Sequence, residues 1–209
     1  MLYPRSPVSV APLDASPFPL SLSLVKSHLR EDSTDFDDII QLYMRAAIEW
    51  AEGVMKRTIY SRAHTWVLGD FPLGGVGEIM LPRGKCSAVA SIAYVDGDGA
   101  IVTLRGPTGS PAGTDWQENL TGDGAGLLYP PLGSAAWPAA NMSAAAPVTI
   151  SFDAGWAAAD VPADITHALL FAVADMYDTT GSADLTVFGK NLTTRNSLVS
   201  PYILNRWYA

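Results

Sequence analysis

A long amphipathic pattern runs through FDDIIQLYMRAAIEWAEGV, residues 36–54, and indicates the main helix of the fold. Its apolar side chains recur every three or four positions, which is the spacing of one helix face over roughly five turns. That face comprises Phe36, Ile39, Ile40, Tyr43, Ala47, Trp50, Ala51 and Val54. A helix of this length needs a partner to cover its apolar face, and we expect Trp50 to be part of the buried core.

A second stretch with helical spacing, residues 162–177, offers that partner. Its apolar residues are Ile165, Leu169, Ala172, Val173 and Met176. We expect the two helices to pack together as a core, so the predicted fold class is α+β, with a small antiparallel β-sandwich or barrel inserted at about residues 64–154. The predicted organisation is an extended N-terminal arm (1–19), a single domain (20–178, with helices at 21–56 and 162–177) and a C-terminal tail (179–209).

Polar residues mark the expected helix ends. Side chains suited to cap the helices are Ser21 or Ser23 for a short first helix, Ser33 or Thr34 for the long helix, and Asp160 before Pro162 for the late helix. Asp37 and Asp38 place negative charge at the positive end of the long helix. Lys56 and Arg57, just after Gly53, mark its expected end.

Between the helices the spacing changes to short β-like runs separated by glycine or proline. The runs are residues 65–68, 78–81, 89–95, 100–104, 114–120, 126–129 and 148–152. Asp96-Gly97-Asp98-Gly99 predicts a hairpin turn, because Asp and Gly tolerate the positive φ angles of tight turns. A calcium loop starting at Asp96 would need a carboxylate where Pro107 stands.

Composition and charge limit the classes of function. The chain has 209 residues, 48% of them hydrophobic and 16% charged, with a formal net charge of −8. Its basic residues are scattered rather than clustered, so we do not expect the protein to bind DNA tightly. We expect no signal peptide and no membrane span, and a location in the cytoplasm or in a particle assembled there.

The residues that carry chemistry in other proteins are few and dispersed. Cys86 is the only cysteine, and we expect it to be a buried or neutral thiol. His28, His64 and His167 lie in different elements and lack metal-ligand spacing. We therefore expect no catalytic residues, no metal and no cofactor.

Two other classes of function stay open from the residues alone. A carbohydrate-binding module would use exposed indoles of Trp116, Trp137 and Trp156. A small hydrolase would need a triad assembled from distant positions.

Several segments, taken in order, resemble the head-to-tail connector, or adaptor, family of long-tailed bacteriophages and gene transfer agents. They are LSLSLVKSHLR (20–30), residues 39–52, Trp66, Phe71-Pro72, IMLPRG (79–84), VASIAYVD (89–96), VTISFDAGW (148–156) and Val161-Pro162. The resemblance covers about residues 18–178 and a short piece near 198–202. The longer glycine-rich stretch 106–146 and the aromatic tail depart from the family. A different neck or tail-completion protein would share the mixed fold and the low charge, and stays open as an alternative.

The resemblance implies a structural virion protein. Copies of the chain, commonly twelve, would form a ring in the neck beneath the portal protein, extend the DNA channel and receive the tail or its stopper protein. Because relatives direct their C-terminal segments toward the portal, it also implies a portal-binding tail. The predicted anchor residues are Tyr202, Ile203, Leu204, Arg206, Trp207 and Tyr208.

Overall fold

The computed structural model describes residues 8–12, 20–72, 77–107, 113–133, 136–178 and 192–204. In these residues it contains four α-helices and two antiparallel sheets, which confirms the mixed α+β class. The chain divides into two compact units. We call them the β unit, drawn from residues 1–12 and 61–155, and the helical unit, drawn from residues 13–60 and 156–209.

The helical unit contains α1 (Leu22–Leu29), α2 (Asp37–Met55), α3 (Ala163–Asp178) and α4 (Leu192–Val199). Two short 3-10 helices, Ala158–Asp160 and Ser200–Tyr202, precede α3 and follow α4. In the part of the chain that the structure describes, no helix has the length and apolar character that crossing a membrane requires.

The start of α1 is confirmed, because the Ser21 hydroxyl accepts a hydrogen bond from the Leu24 amide at 3.2 Å. The start predicted for α2 is wrong. Its N-cap is Phe36, without a side-chain bond, because the Ser33 hydroxyl instead accepts from the Asp35 amide at 3.1 Å in the preceding turn. Thr34 contributes only its backbone carbonyl, to the amide of Asp37 at 3.2 Å.

The N-cap predicted for α3 is also wrong. Asp160 ends a 3-10 helix, where its amide donates to the Ala157 carbonyl at 2.9 Å. Pro162 precedes the first helical residue, and its carbonyl accepts from the Thr166 amide at 3.1 Å. The proline therefore fixes the chain direction just before α3.

The core of the helical unit is one apolar cluster to which α2 and α3 both contribute. Its buried members from these helices are Ile40, Met44, Ala47, Ile48, Ala51 and Met55 of α2, and Ile165, Ala168, Leu169, Leu170, Ala172 and Val173 of α3. The buried face of α2 is rotated relative to the predicted one, toward Met44 and Ile48. Trp50 is only partly buried, at the margin of the cluster, and Phe36 is exposed.

The β unit contains two open sheets. Its strands are β1 (Ser9–Val10), β2 (Arg62–Leu68), β3 (Ile79–Met80), β4 (Cys86–Val95), β5 (Ile101–Leu104), β6 (Gln117–Asn119), β7 (Leu127–Tyr129) and β8 (Val148–Ala154). One sheet has the order β1-β2-β8-β4-β5 and the other the order β3-β7-β6. All seven predicted runs contain a strand, whereas β1, in the predicted arm, was not foreseen. Neither sheet closes on itself in the described residues, so no barrel is formed.

Alternation along the central strands builds the core of the β unit. β2 pairs with β8 so that Trp66 lies opposite Ile150 and Leu68 opposite Val148, and all four side chains are buried. Residues of both sheets belong to this apolar cluster, together with the buried rings of Trp116 and Trp137. The period of two in the sequence therefore corresponds to one buried face of the sheet.

The hairpin predicted at residues 96–99 is confirmed as the connection between β4 and β5. The Asp96 amide donates to the Ala100 carbonyl at 2.9 Å. The Asp96 carboxylate accepts from the amides of Asp98 at 3.0 Å and Ala100 at 2.9 Å. Those bonds, together with Gly99 at a φ of 85°, account for the two Asp-Gly pairs without any ion.

Candidate functional site at the C-terminal segment

The C-terminal segment, which we define as residues 192–204, is fixed to the helical unit by a buried ion pair. Arg195 of α4 donates to the Asp175 carboxylate of α3 at 3.0 Å, and their side chains are only 10% and 7% exposed. The Arg195 guanidinium also lies over the Trp50 ring, 4.6 Å from its centroid. Partly buried Trp50 therefore serves as a platform for α4 rather than as a central core residue.

Past α4 the chain tightens into the 3-10 helix Ser200–Tyr202. The Ser200 hydroxyl donates to the Ser197 carbonyl at 2.9 Å, and the Ile203 amide donates to the Ser200 carbonyl at 3.3 Å. Val199 is fully buried in the apolar cluster, and Leu198 packs against it. These contacts bring the chain to the C-terminal end of α2.

At that end a set of contacts, which we call the tether, holds residues 202–204. The Leu204 amide donates to the Met55 carbonyl at 2.9 Å, and Arg57 Nε donates to the Tyr202 carbonyl. The Tyr202 ring meets Trp156 edge to face, with centroids 6.3 Å apart and planes at 85°. The Arg57 guanidinium lies 5.6 Å from the centroid of the same indole.

The local structure at the end of α2 explains why the tether forms there. The last carbonyls of a helix lack partners within the helix, and Leu204 supplies one to Met55. Lys56 adopts a left-handed conformation, with a φ of 57°, and so turns the chain out of the helix. Arg57 then places a positive charge near the negative end of the helix dipole.

A second buried polar contact stabilises the same corner. The Glu52 carboxylate accepts a hydrogen bond from the Ile59 amide at 2.9 Å, and Glu52 is buried. Tyr60 follows, and burial together with the Glu52 charge raises the pKa of its phenol well above the ordinary value. Tyr60 therefore stays neutral, which suits a group packed in an apolar cluster.

The predicted anchor residues separate into three groups. Tyr202 and Leu204 are half-buried, and the bonds described above direct them to their own subunit. Ile203, between them, is 37% exposed. Arg206, Trp207 and Tyr208 lie outside the described residues. Sequence reasoning missed the tether because Arg57 and Tyr202 are 145 positions apart and no local pattern links them.

Cys86 and His64, side chains that could take part in chemistry, are buried in the β unit. Burial raises the pKa of the Cys86 thiol to about 11, which agrees with the expected neutral thiol. Burial lowers the pKa of His64 to about 4, while its Nδ1 lies 2.8 Å from the Arg62 carbonyl and its ring stacks on Phe152 at 5.2 Å. Among the described residues, no three His, Cys, Asp or Glu side chains are grouped to hold a metal.

The tryptophans that motivated a carbohydrate-binding module are buried. Trp116 is 1%, Trp137 4% and Trp156 2% exposed. The Trp137 indole donates to the Gly77 carbonyl at 2.9 Å and stacks on Phe71 at 5.1 Å. None of the three presents a face to solvent, so they do not provide the exposed stacking surface that the carbohydrate-binding alternative required.

Comparisons with known proteins identify the fold. No family model matches the chain, and no curated protein matches its sequence. Among solved structures, a chain from the virion of a native gene transfer agent (GTA) particle superposes with a TM-score of 0.70 at 22% identity, covering 95% of this chain and 96% of that one. Chains from the neck of an empty GTA particle computed with C6 symmetry (TM-score 0.68, 20% identity) and from the neck of a native GTA particle computed with C12 symmetry (0.66, 19%) superpose with the same coverage.

These likenesses define the class of fold. The shared architecture extends over nearly the whole of each chain, including both the helical and the strand regions. With identities under 25%, the comparison establishes a common fold and leaves function to be argued separately.

Proposed function

We propose that the protein is a structural component of a particle neck, at the junction of head and tail. The observation that carries this proposal is the fold likeness to chains of GTA necks over 95% of the sequence. A structural role also suits the way its chemistry-bearing residues are used. Cys86 and His64 are buried in the β unit, and His28 and His167 pack around Phe171.

Within the neck, the proposed role is that of the head-to-tail adaptor. Copies of the chain would form a ring beneath the portal protein, lengthen the DNA channel and present a docking surface to the tail or its stopper protein. A dodecamer is compatible with both symmetries of the similar necks, because C12 symmetry contains C6.

Electron microscopy of the purified protein, alone and mixed with portal, tests this role. An adaptor should form a closed ring seated on the portal. A particle that assembles on tail-side proteins and ignores the portal would assign the chain to tail completion instead.

The channel of the proposed ring would let DNA pass without holding it. The net charge is −8, and four basic side chains are paired within the chain: Lys26 with Asp37, Lys85 with Asp123, Arg105 with Asp115 and Arg195 with Asp175. Cations used in this way contribute little to phosphate neutralisation, which dominates DNA affinity. A gel-shift titration should therefore give weak binding, and a submicromolar, salt-sensitive affinity would contradict a passive channel.

The proposed portal contact uses Ile203 and the residues that follow Leu204, among them Arg206, Trp207 and Tyr208. Large aromatic side chains with a neighbouring arginine are typical of interface hot spots, and repetition around a ring multiplies modest affinities. Deleting residues 205–209 leaves the contacts of Tyr202 and Leu204 in place. The truncated protein should therefore keep its melting temperature and fail to co-sediment with portal-bearing heads.

A further inference from the structure

We propose that Arg57 is a positioning residue for the C-terminal tail: through the tether it fixes where the tail leaves the subunit and so sets the strength of portal attachment. This inference rests on the proposed docking of the tail to the portal. Arg57 itself is buried at the end of α2 and belongs to its own helical unit. Its effect on the portal would be indirect.

The geometry of the tether carries the inference. Arg57 and Met55, two residues apart, contact Tyr202 and Leu204, also two residues apart, so two backbone groups of the segment are held at once. Ile203 has extended backbone angles, with φ −65° and ψ 122°. In an extended segment neighbouring side chains point to opposite sides. Ile203 is accordingly exposed while Tyr202 and Leu204 face inward.

Side-chain packing adds specificity to the backbone contacts. Trp156 is buried, and its indole contacts both the Arg57 guanidinium and the Tyr202 ring, which lies nearly perpendicular to it. A planar, permanently charged guanidinium can donate a hydrogen bond and lie near an aromatic ring together, which a lysine cannot reproduce. The tether therefore depends on the chemistry of Arg57 as well as on its charge.

A fixed exit point should strengthen attachment by pre-organisation. The tether holds residues 202–204 in place before binding, so these residues need no further ordering when the subunit meets the portal; without the tether, their ordering would add to the entropic cost of binding. In a ring, the same restriction applies at every subunit. Loss of the tether should weaken attachment even though no portal contact is removed.

The experiment combines hydrogen exchange with portal binding on the full-length protein. In Arg57→Met, exchange at the Leu204 amide should accelerate about tenfold or more, because its bond to the Met55 carbonyl is no longer supported. The concentration for half-maximal attachment to portal-bearing heads should rise about tenfold, equivalent to about 1.4 kcal/mol. Arg105→Met, at an exposed arginine paired with Asp115 in the β unit, is the matched control and should change neither quantity.

Tyr202→Leu is a second variant for the case that the Arg57→Met protein does not fold, since Arg57 is buried. It keeps the backbone carbonyl that Arg57 contacts and removes the ring that meets Trp156. Exchange at Leu204 should again accelerate and attachment weaken. A merely structural role would lower the melting temperature without changing Leu204 exchange under native conditions.

Two outcomes would overturn the inference: faster exchange at Leu204 with unchanged attachment, or unchanged exchange in both variants. The deletion of residues 205–209 distinguishes a failure of the positioning role of Arg57 from a failure of the proposed docking of the tail. If the deletion abolishes attachment while Arg57→Met preserves it, tail docking stands and the positioning role is wrong. If the truncated protein attaches normally, the proposed tail docking is wrong, and the positioning role of Arg57, which depends on it, is wrong as well.

Discussion

Replacing Arg195 with methionine should be among the most destabilising single changes in the helical unit. The substitution keeps an unbranched apolar side chain over Trp50 but removes the cation from the buried Asp175 carboxylate. Because both side chains are about nine-tenths buried, water screens the loss poorly. Removing one partner of a buried ion pair typically costs about 3 to 5 kcal/mol, and we expect a loss in that range for Arg195→Met.

A double-mutant cycle measures the interaction between Arg195 and Asp175 directly. Asp175→Leu alone should be similarly costly, because it strands the Arg195 charge, whereas Arg195→Met combined with Asp175→Leu should recover much of the stability. The expected coupling is about 2 kcal/mol or more. Urea unfolding followed by circular dichroism, at one fixed protein concentration, provides the free energies. Arg105→Met, which breaks an exposed pair in the β unit, should shift the urea midpoint little.

A loss below about 1 kcal/mol for Arg195→Met, with no measurable coupling, would show that the ion pair does not stabilise the fold. In that case α4 would be held by apolar contacts alone, through fully buried Val199 and its neighbour Leu198. The ion pair would then fix only the orientation of the helix.

Three further outcomes are expected from the structure. The contribution of neutral His64 to folding stability should be complete above about pH 6.5 and should fall by about 3 kcal/mol as the pH drops toward 4. The reason is that folded His64 has a pKa of about 4, so the unfolded chain takes up the proton first. His64→Phe should remove this part of the pH dependence of the free energy of unfolding in urea titrations. Gly106→Ala should cost about 1 to 3 kcal/mol or more, because an added Cβ would lie 1.9 Å from a ring atom of Trp116. By contrast, a Cβ at Gly53 would come within 4 Å of no described atom other than those of its chain neighbours and the surrounding helix backbone, so Gly53→Ala should stabilise α2 by about 0.5 to 1 kcal/mol in thermal melts. Cys86 should react with a disulfide reagent only at the rate of unfolding, because its thiol has a pKa of about 11 and its side chain is buried. Rapid labelling of the native protein would contradict this burial.

The elements that were predictable from the sequence are those whose cause is local. The seven β runs are short and separated by glycine or proline, and each contains a strand. The start of α1 at Ser21 and the hairpin at Asp96 likewise depend on bonds across two to four residues. In these places the local preference and the tertiary structure agree.

The elements that were not predictable depend on partners far away in the chain. α4 (Leu192–Val199) has hardly any amphipathic pattern, and its ion pair to Asp175 and its contact with Trp50 span 20 and 145 positions. β1 has two residues and exists through pairing with β2. The start of α2 was misplaced because a serine two residues before an amide can close a turn as readily as it can cap a helix.

Trp156, a residue of the tether, is also the residue at which the chain re-enters the helical unit after the inserted segment. The chain leaves the helical unit after Tyr60 and returns to it at Trp156, where the two residues form a parallel bridge and the Trp156 amide donates to the Ile59 carbonyl at 2.8 Å. An insertion that begins and ends at adjacent points leaves the surrounding helices free to form one core. The same Trp156 carries Arg57 and Tyr202 on its ring. Trp156, where the chain re-enters the helical unit, is therefore also the platform for Arg57 and Tyr202, so we expect changes to the length of the insertion to leave the tether intact as long as the Trp156 amide keeps its bond to the Ile59 carbonyl.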